Sequence, residues 1–356
     1  MSRAPLSGAV DDICLDLVST PSEYGEERAL ADLVERRVVT LGLEHERIGD
    51  AVVARGGGGA GTPIALVGHL DTVPNWPDGK VERTGERIIG RGAADMKGGV
   101  AVMLALLQRL TTEARSTVMV FYDREEGPNL ANGIHRVLAE SRLLDPRPAL
   151  AVVLEPTGGT IHAGAVGTLN ATATYHGRAA HSARPWEGSN AISADLAEAL
   201  ARFAARAPRD VEVDGLLYRD VVSVTMIAGG TAHNVIPDRV DLHVNVRVAP
   251  GGSLDAARAE VEALAGASAD VEWLDVSPPA APNLSDPTVA DFVTRSGLPV
   301  LPKQAWTDVA TLTAWGVPAF NYGPGESAQA HQPGEWVEIA KLVECESVLA
   351  GELGIR

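Results

Sequence analysis

Two histidines and a series of carboxylates stand out by type and spacing. His69 and Asp71 lie in Gly68-His69-Leu70-Asp71, and Asp95 lies in Arg91-Gly92-Ala93-Ala94-Asp95-Met96-Lys97-Gly98-Gly99. Further along come the pair Glu125-Glu126, then Glu155 ahead of Pro156, and a late His331. Taken singly, a His-x-Asp or a Glu-Glu pair is usually a loop, a cap or an ion pair. Together they would gather four carboxylates within a few ångströms, and like charges that close cannot all ionise. Divalent cations resolve the conflict. Imidazole with carboxylate suits zinc, and cobalt or manganese would also fit; a carboxylate shared by two ions would make a two-metal hydrolytic site.

Such a cluster needs a scaffold that brings distant segments to one edge. Three short apolar runs, 64–67, 117–122 and 149–154, are continuous rather than alternating, as strands buried on both faces should be. Helix-length apolar patterns over 96–110 and 132–144 separate them, which gives a β-α-β-α-β order and predicts an α/β fold with a mixed, largely parallel sheet flanked by helices. Each run is followed directly by candidate ligands, and open α/β sheets place their sites beyond the carboxyl ends of their strands. Three loops should therefore meet in one crevice.

From about Thr168 the texture changes. Over 240–248 apolar Val240, Leu242, Val244, Val246 and Val248 alternate with Asp241, His243, Asn245 and Arg247, the pattern of a sheet covered on one face. With helical patterns over 190–205 and 254–264, this predicts an inserted α+β domain over 168–279, and a first domain made of 1–167 and 280–356. The run through Leu312, Val317, Pro318, Ala319 and Phe320 reads as another buried strand region, and 337–353 as a C-terminal helix. The glycines at 56–59 read as a turn and lack a phosphate-binding pattern.

The chain has 356 residues, 45% of them hydrophobic and 22% charged, enough apolar material for two domains. Its net charge of −17 would repel nucleic acid and anionic membrane surfaces, so neither is expected as a partner. Cys14 and Cys345, the only cysteines, form no metal or redox motif and read as buried or half-buried free thiols. No leader pattern occurs near Met1 and no apolar stretch is long enough to span a bilayer, so a cytoplasmic location is expected.

The ordered set Gly68-His69-Leu70-Asp71-Thr72-Val73-Pro74, Asp95-Met96-Lys97-Gly98-Gly99, Glu125-Glu126, Glu155-Pro156-Thr157 and His331 resembles the dinuclear zinc amidohydrolases: aminoacylases, acetylornithine deacetylases, carboxypeptidases and succinyl-diaminopimelate desuccinylases. The order and spacing match along nearly the whole chain. The desuccinylase branch is the most similar, through Arg178-Ala179-Ala180-His181-Ser182-Ala183-Arg184, Gly229-Gly230 with Asn234-Val235-Ile236-Pro237-Asp238, and Trp306-Thr307-Asp308-Val309.

Carried over by position, the resemblance implies two Zn2+ per subunit, with Co2+ as a substitute. His69 and Glu155 would bind one ion, Glu126 and His331 the other, and Asp95 would bridge them. Asp71 would orient His69 through its second ring nitrogen. Glu125 would be the general base, and the peptide Asp95-Met96 would be cis. The inserted domain would be a lid and dimerisation surface of a homodimer, with His181 reaching the partner's site to stabilise an oxyanion. Asn234, Arg247 and Thr307, with Asp308 nearby, would contact substrate, Arg247 by gripping a carboxylate. The implied substrate is a small N-acyl amino acid, N-succinyl-LL-2,6-diaminopimelate, cleaved to succinate and LL-2,6-diaminopimelate. Without the resemblance, His181 reads as an exposed polar residue and Glu125 as a surface carboxylate. The alternatives are an acetylornithine deacetylase-like enzyme, another N-acyl amino acid or dipeptide hydrolase, and a catalytically silent metal-binding homologue. No role is assigned to His233, or to Arg124 beside the glutamate pair.

Overall fold

The computed structural model describes residues 6–76 and 79–355. The chain divides into two compact units, one of Met1–Gly164, Pro282–Leu301 and Thr307–Arg356, the other of Ala165–Ala281 and Pro302–Trp306. Residues 302–306 thus go with the inserted unit, where the Gln304 amide pairs with the backbone N–H and C=O of Arg219 at 2.9 and 2.7 Å.

The first unit is built on an eight-stranded mixed sheet in the spatial order Glu44–Ile48, Ala51–Gly56, Arg115–Tyr122, Gly59–His69, Leu150–Val153, Ala319–Asn321, Ile161–Ala163 and Val300–Pro302. The middle four strands run parallel, and antiparallel strands flank them. The three apolar runs seen in the sequence form central strands of this sheet, and apart from Ala149, which precedes its strand, their residues are buried on both faces. Register fixes what happens at their ends. His69 pairs with Tyr122 and Val67 with Val153, so the segments following all three strands emerge along one edge.

Between the first two of these strands runs the helix Gly98–Leu107, whose ten residues are all buried. Such a helix is apolar all round and has no solvent face, which is why no amphipathic period marks it. It is shorter than the predicted 96–110, because Ala93–Lys97 forms a wider turn in which Asp95 and Met96 leave helical φ/ψ. Gly99 lies so close to the third strand's exit that a Cβ there would sit 2.4 Å from the Leu154 carbonyl oxygen. Gly57 has φ +76°, and a Cβ on it would lie 2.2 Å from the Arg115 carbonyl oxygen, so the glycine run is a tight turn against its neighbour.

Some predicted elements differ from those observed. Residues 132–144 shorten to the helix Ile134–Glu140. Leu312 belongs to the short helix Val309–Ala314, and only Ala319–Asn321 is strand, because Val317 and Pro318 complete the turn between them. Val337 lies in the strand Trp336–Glu338, which pairs with Arg87–Ile89, and the C-terminal helix starts at Ile339. Cys14 and Cys345 are both buried and free.

The second unit has a five-stranded antiparallel sheet in the order Arg209–Val213, Leu216–Gly229, Arg239–Val248, Gly167–His176 and Ala269–Ser277. The strand Arg239–Val248 alternates as predicted, its valines and Leu242 joining a core shared with the helices Ala194–Ala205 and Leu254–Ala265. Its other face is half-buried and polar. Among the described residues no helix is long and apolar enough to cross a membrane.

Substituting Leu104→Ala removes a fully buried side chain from the all-apolar helix and should destabilise the first unit by about 2–5 kcal/mol, read as a lower midpoint in urea unfolding.

Candidate metal centre

The edge defined by strand register collects the residues singled out above. His69 ends its strand almost wholly buried. Its Nδ1 lies 3.0 Å from the carbonyl oxygen of Asp71, which can only accept, so Nδ1 carries the hydrogen, and in the neutral ring Nε2 is left with the lone pair. That Nε2 lies 3.3 Å from Asp95 Oδ1 and 3.8 Å from Glu155 Oε1. On the other side of Asp95, His331 Nε2 lies 3.6 Å from Asp95 Oδ2 and 3.0 Å from Glu126 Oε2. Two groups result, His69–Asp95–Glu155 and Asp95–Glu126–His331, each with ligand atoms within 4.8 Å of one another and with Asp95 common to both. A third combination, His69–Glu125–Glu126, meets the same limit.

Backbone donors set this geometry. Asp71 is fully buried; its Oδ1 accepts the Glu125 N–H at 3.0 Å and its Oδ2 the Glu126 N–H at 2.9 Å. Its carboxylate is 3.5 Å from His69 Nδ1, so Asp71 steadies the glutamate pair as well as the imidazole. Arg124, at φ +63°, turns the chain out of the strand just ahead of the pair. The peptide Asp95-Met96 is cis.

Burial pushes the Glu125 carboxyl well above the ordinary carboxylate range; Glu155, Glu126 and Asp308 add to the rise and His69 opposes it. The hydrogen bond to Glu126 raises His331, which burial opposes. Donor chemistry points the same way: two imidazole nitrogens and three carboxylates, arranged as two triads about a shared aspartate, are ligand types that suit two divalent metal ions.

The other predicted residues lie outside the two triads. Thr307 is buried, and its hydroxyl has no hydrogen-bond partner among the described residues. Asp308, also buried, accepts from the Tyr122 hydroxyl at 2.6 Å and from Asn132 Nδ2 at 2.9 Å, while the Tyr122 ring stands edge-on to His69 at 6.2 Å. His181, Asn234 and Arg247 belong to the second unit. His181 is exposed in a two-residue strand paired with Val235–Ile236, and its Nδ1 accepts the Ala183 N–H at 3.0 Å, which leaves Nε2 as the donor of the neutral ring. The exposed Asn234 is joined to the His181 turn through its carbonyl, which accepts the Ser182 N–H at 2.9 Å. Arg247 Nε donates to Asn245 Oδ1 at 3.1 Å, and burial lowers its pKa. His233 is exposed beside Asn234.

Sequence reasoning missed Tyr122 and Asn132, the partners of Asp308, and also Glu335. Tyr122 was legible as the last residue of an apolar run, but nothing local announces its hydroxyl partner.

A mixed, largely parallel sheet that gathers two candidate metal-binding triads at its carboxyl edge is the arrangement of a metal-dependent hydrolase. The sequence profile of Peptidase family M20/M25/M40 matches residues 65–353, and the chain belongs to that family. It is 39% identical, over 98% of its length and 99% of the relative's, to a Mycobacterium tuberculosis protein provisionally named succinyl-diaminopimelate desuccinylase DapE. It is 34% identical to the succinyl-diaminopimelate desuccinylase of Corynebacterium glutamicum, over 94% of this chain and 93% of that one. A Staphylococcus aureus tripeptidase of known structure shares the fold, with a TM-score of 0.79 at 22% identity, covering 97% of each chain.

Titration of the metal-stripped protein with Zn2+ should give two equivalents by calorimetry. Because Asp95 belongs to both triads and Glu155 to one, Asp95→Asn should weaken both equivalents at least about tenfold, and Glu155→Gln one of them.

Proposed function

We propose that this chain is a two-zinc hydrolase that cleaves N-succinyl-LL-2,6-diaminopimelate to succinate and LL-2,6-diaminopimelate, in lysine and diaminopimelate biosynthesis. The observation that carries the substrate is the 39% identity over nearly the whole chain to the mycobacterial protein, joined by the corynebacterial desuccinylase. In this reading the enzyme works in the cytoplasm as a homodimer.

His69 and Glu155 would hold one ion, Glu126 and His331 the second, and Asp95 would serve both. Ions held there would supply Lewis-acid chemistry for the scissile carbonyl and would acidify the attacking water. The chain does the rest. Water adds its oxygen to the carbonyl carbon, the C–N bond breaks, and the proton released goes to the leaving nitrogen. Glu125, whose backbone is pinned by Asp71 and whose neighbour Glu126 is taken up as a ligand, accepts that proton and delivers it to the amine.

Binding and charge stabilisation fall to the second unit, acting as lid and dimerisation surface. The Nε2–H of His181, left as donor by the bond from Ala183, serves the developing oxyanion in the other subunit's site. Arg247 and Asn234 grip the substrate carboxylates, a task that a guanidinium with no acidic partner among the described residues suits. Thr307 contributes to the pocket.

The decisive assay is hydrolysis by zinc-reconstituted protein of N-succinyl-LL-diaminopimelate, N-acetylornithine and a dipeptide side by side, with a chelator control. Chelator-sensitive turnover that strongly favours the succinyl substrate is expected; preference for either other compound overturns the substrate and keeps the reaction class. No chelator-sensitive turnover of any of them would favour a silent metal-binding homologue. Glu125→Gln should keep two equivalents of zinc and lose about 10²–10⁴-fold in kcat. Mixing inactive His181→Ala and Glu125→Gln subunits should restore measurable turnover through dimers with one intact composite site, and no recovery would place His181 in its own subunit's site.

A further inference from the structure

Glu335 lies four residues after His331, almost wholly buried, and every donor to its carboxylate comes from the turn that carries Asp95. Its Oε1 accepts the N–H groups of Ala94 at 2.9 Å and Asp95 at 3.0 Å; its Oε2 accepts the Gly92 N–H at 3.0 Å and Arg91 Nη1 at 3.1 Å. Four donors converge on one side chain, which only an ionised carboxylate, with acceptors on both oxygens and no hydrogen, can satisfy. The backbone is tied as well: the Gly90 N–H donates to the Glu335 carbonyl at 2.8 Å, and Trp336–Glu338 then pairs with Arg87–Ile89. On the other flank the Glu335 N–H closes the loop onto the Gln332 carbonyl at 3.3 Å, next to His331, which sits at φ +64°. A non-glycine residue in that left-handed region stays there only when its surroundings hold it.

We propose that Glu335 is a positioning residue that sets the reach of Asp95 and His331 together, so that one buried carboxylate determines the geometry of both triads. The inference rests on the metal-binding reading of those triads. Glu335 touches neither substrate nor ion; it acts through the Asp95 amide and through the His331 loop.

The test is Glu335→Gln, which keeps the side chain's size but turns an NH2 toward two of the donors. Circular dichroism establishes that the variant is folded, and zinc calorimetry and the visible spectrum of the Co2+-loaded protein are then compared with wild type. Both equivalents should weaken by about 10–100-fold, the cobalt bands should shift, and kcat should fall while KM stays within about threefold. Glu335→Asp, which keeps the charge and loses reach, should lie between the two and takes over the test if the amide variant does not fold. A variant that is only less stable to heat, with both affinities and the cobalt spectrum of wild type, overturns the inference. The titrations need no substrate, so weakened binding supports the role of Glu335 whichever amide the enzyme cleaves. A wild-type protein that takes up no divalent ion overturns this inference and the metal reading together.

Discussion

Repulsion among carboxylates is the constraint around which the first unit is organised. Asp95, Glu126 and Glu155 come within a few ångströms of two imidazoles, with Glu125 beside them. Two like charges 4 Å apart at an effective dielectric of 20 oppose each other by about 4 kcal/mol, a large share of the roughly 5–15 kcal/mol that holds a domain together. A fold cannot carry several such pairs unless protons or cations neutralise them and the backbone prevents the acids from swinging apart. Both conditions leave marks here. The Glu125 carboxyl is pushed toward its protonated form, and the acids sit on segments that cannot retreat, because each follows directly from a central strand or a hydrogen-bonded turn.

Backbone N–H groups do much of that holding. Asp71 receives two amides from the glutamate pair, and Glu335 receives three from the turn ahead of Asp95 together with the Arg91 guanidinium. Two carboxylates outside the triads thereby tie down backbone that carries triad residues, and in metal proteins affinity is sensitive to just such outer partners. The same logic covers the aromatic wall. Asp308, buried and bonded to Tyr122 and Asn132, fixes the ring that stands edge-on to His69. In the second unit the construction differs: an antiparallel sheet packs one face on two helices and keeps the other polar, where Arg247 bonds to Asn245, Asn245 to Asn170 and His243 to Thr172.

Much of this was legible in the residue order. Continuous apolar runs over 64–67, 117–122 and 149–154 can be satisfied only by burial on both faces, so parallel central strands follow, and with them the convergence of His69, Glu125, Glu126 and Glu155 at one edge. Alternation over 240–248 specified a half-covered sheet for an equally physical reason, the two-residue period of a strand. Where patterns were short the boundaries slipped: Leu312 joined a helix of six residues, and Val337 a strand of three. At that length neither period has room to assert itself.

What the sequence determined by itself was which segments must be buried and which chemical groups stand at their ends, because hydrophobic periodicity is local and a strand's exit is adjacent to it in the chain. Tertiary structure alone decided the rest. Glu335 grips amides some 240 positions away, Tyr122 finds Asp308 across 186, and residues 302–306 leave their sequence neighbours for the second unit. A hydrogen bond between such distant residues has no period and no spacing to betray it; it exists only once the sheet has brought its two ends together.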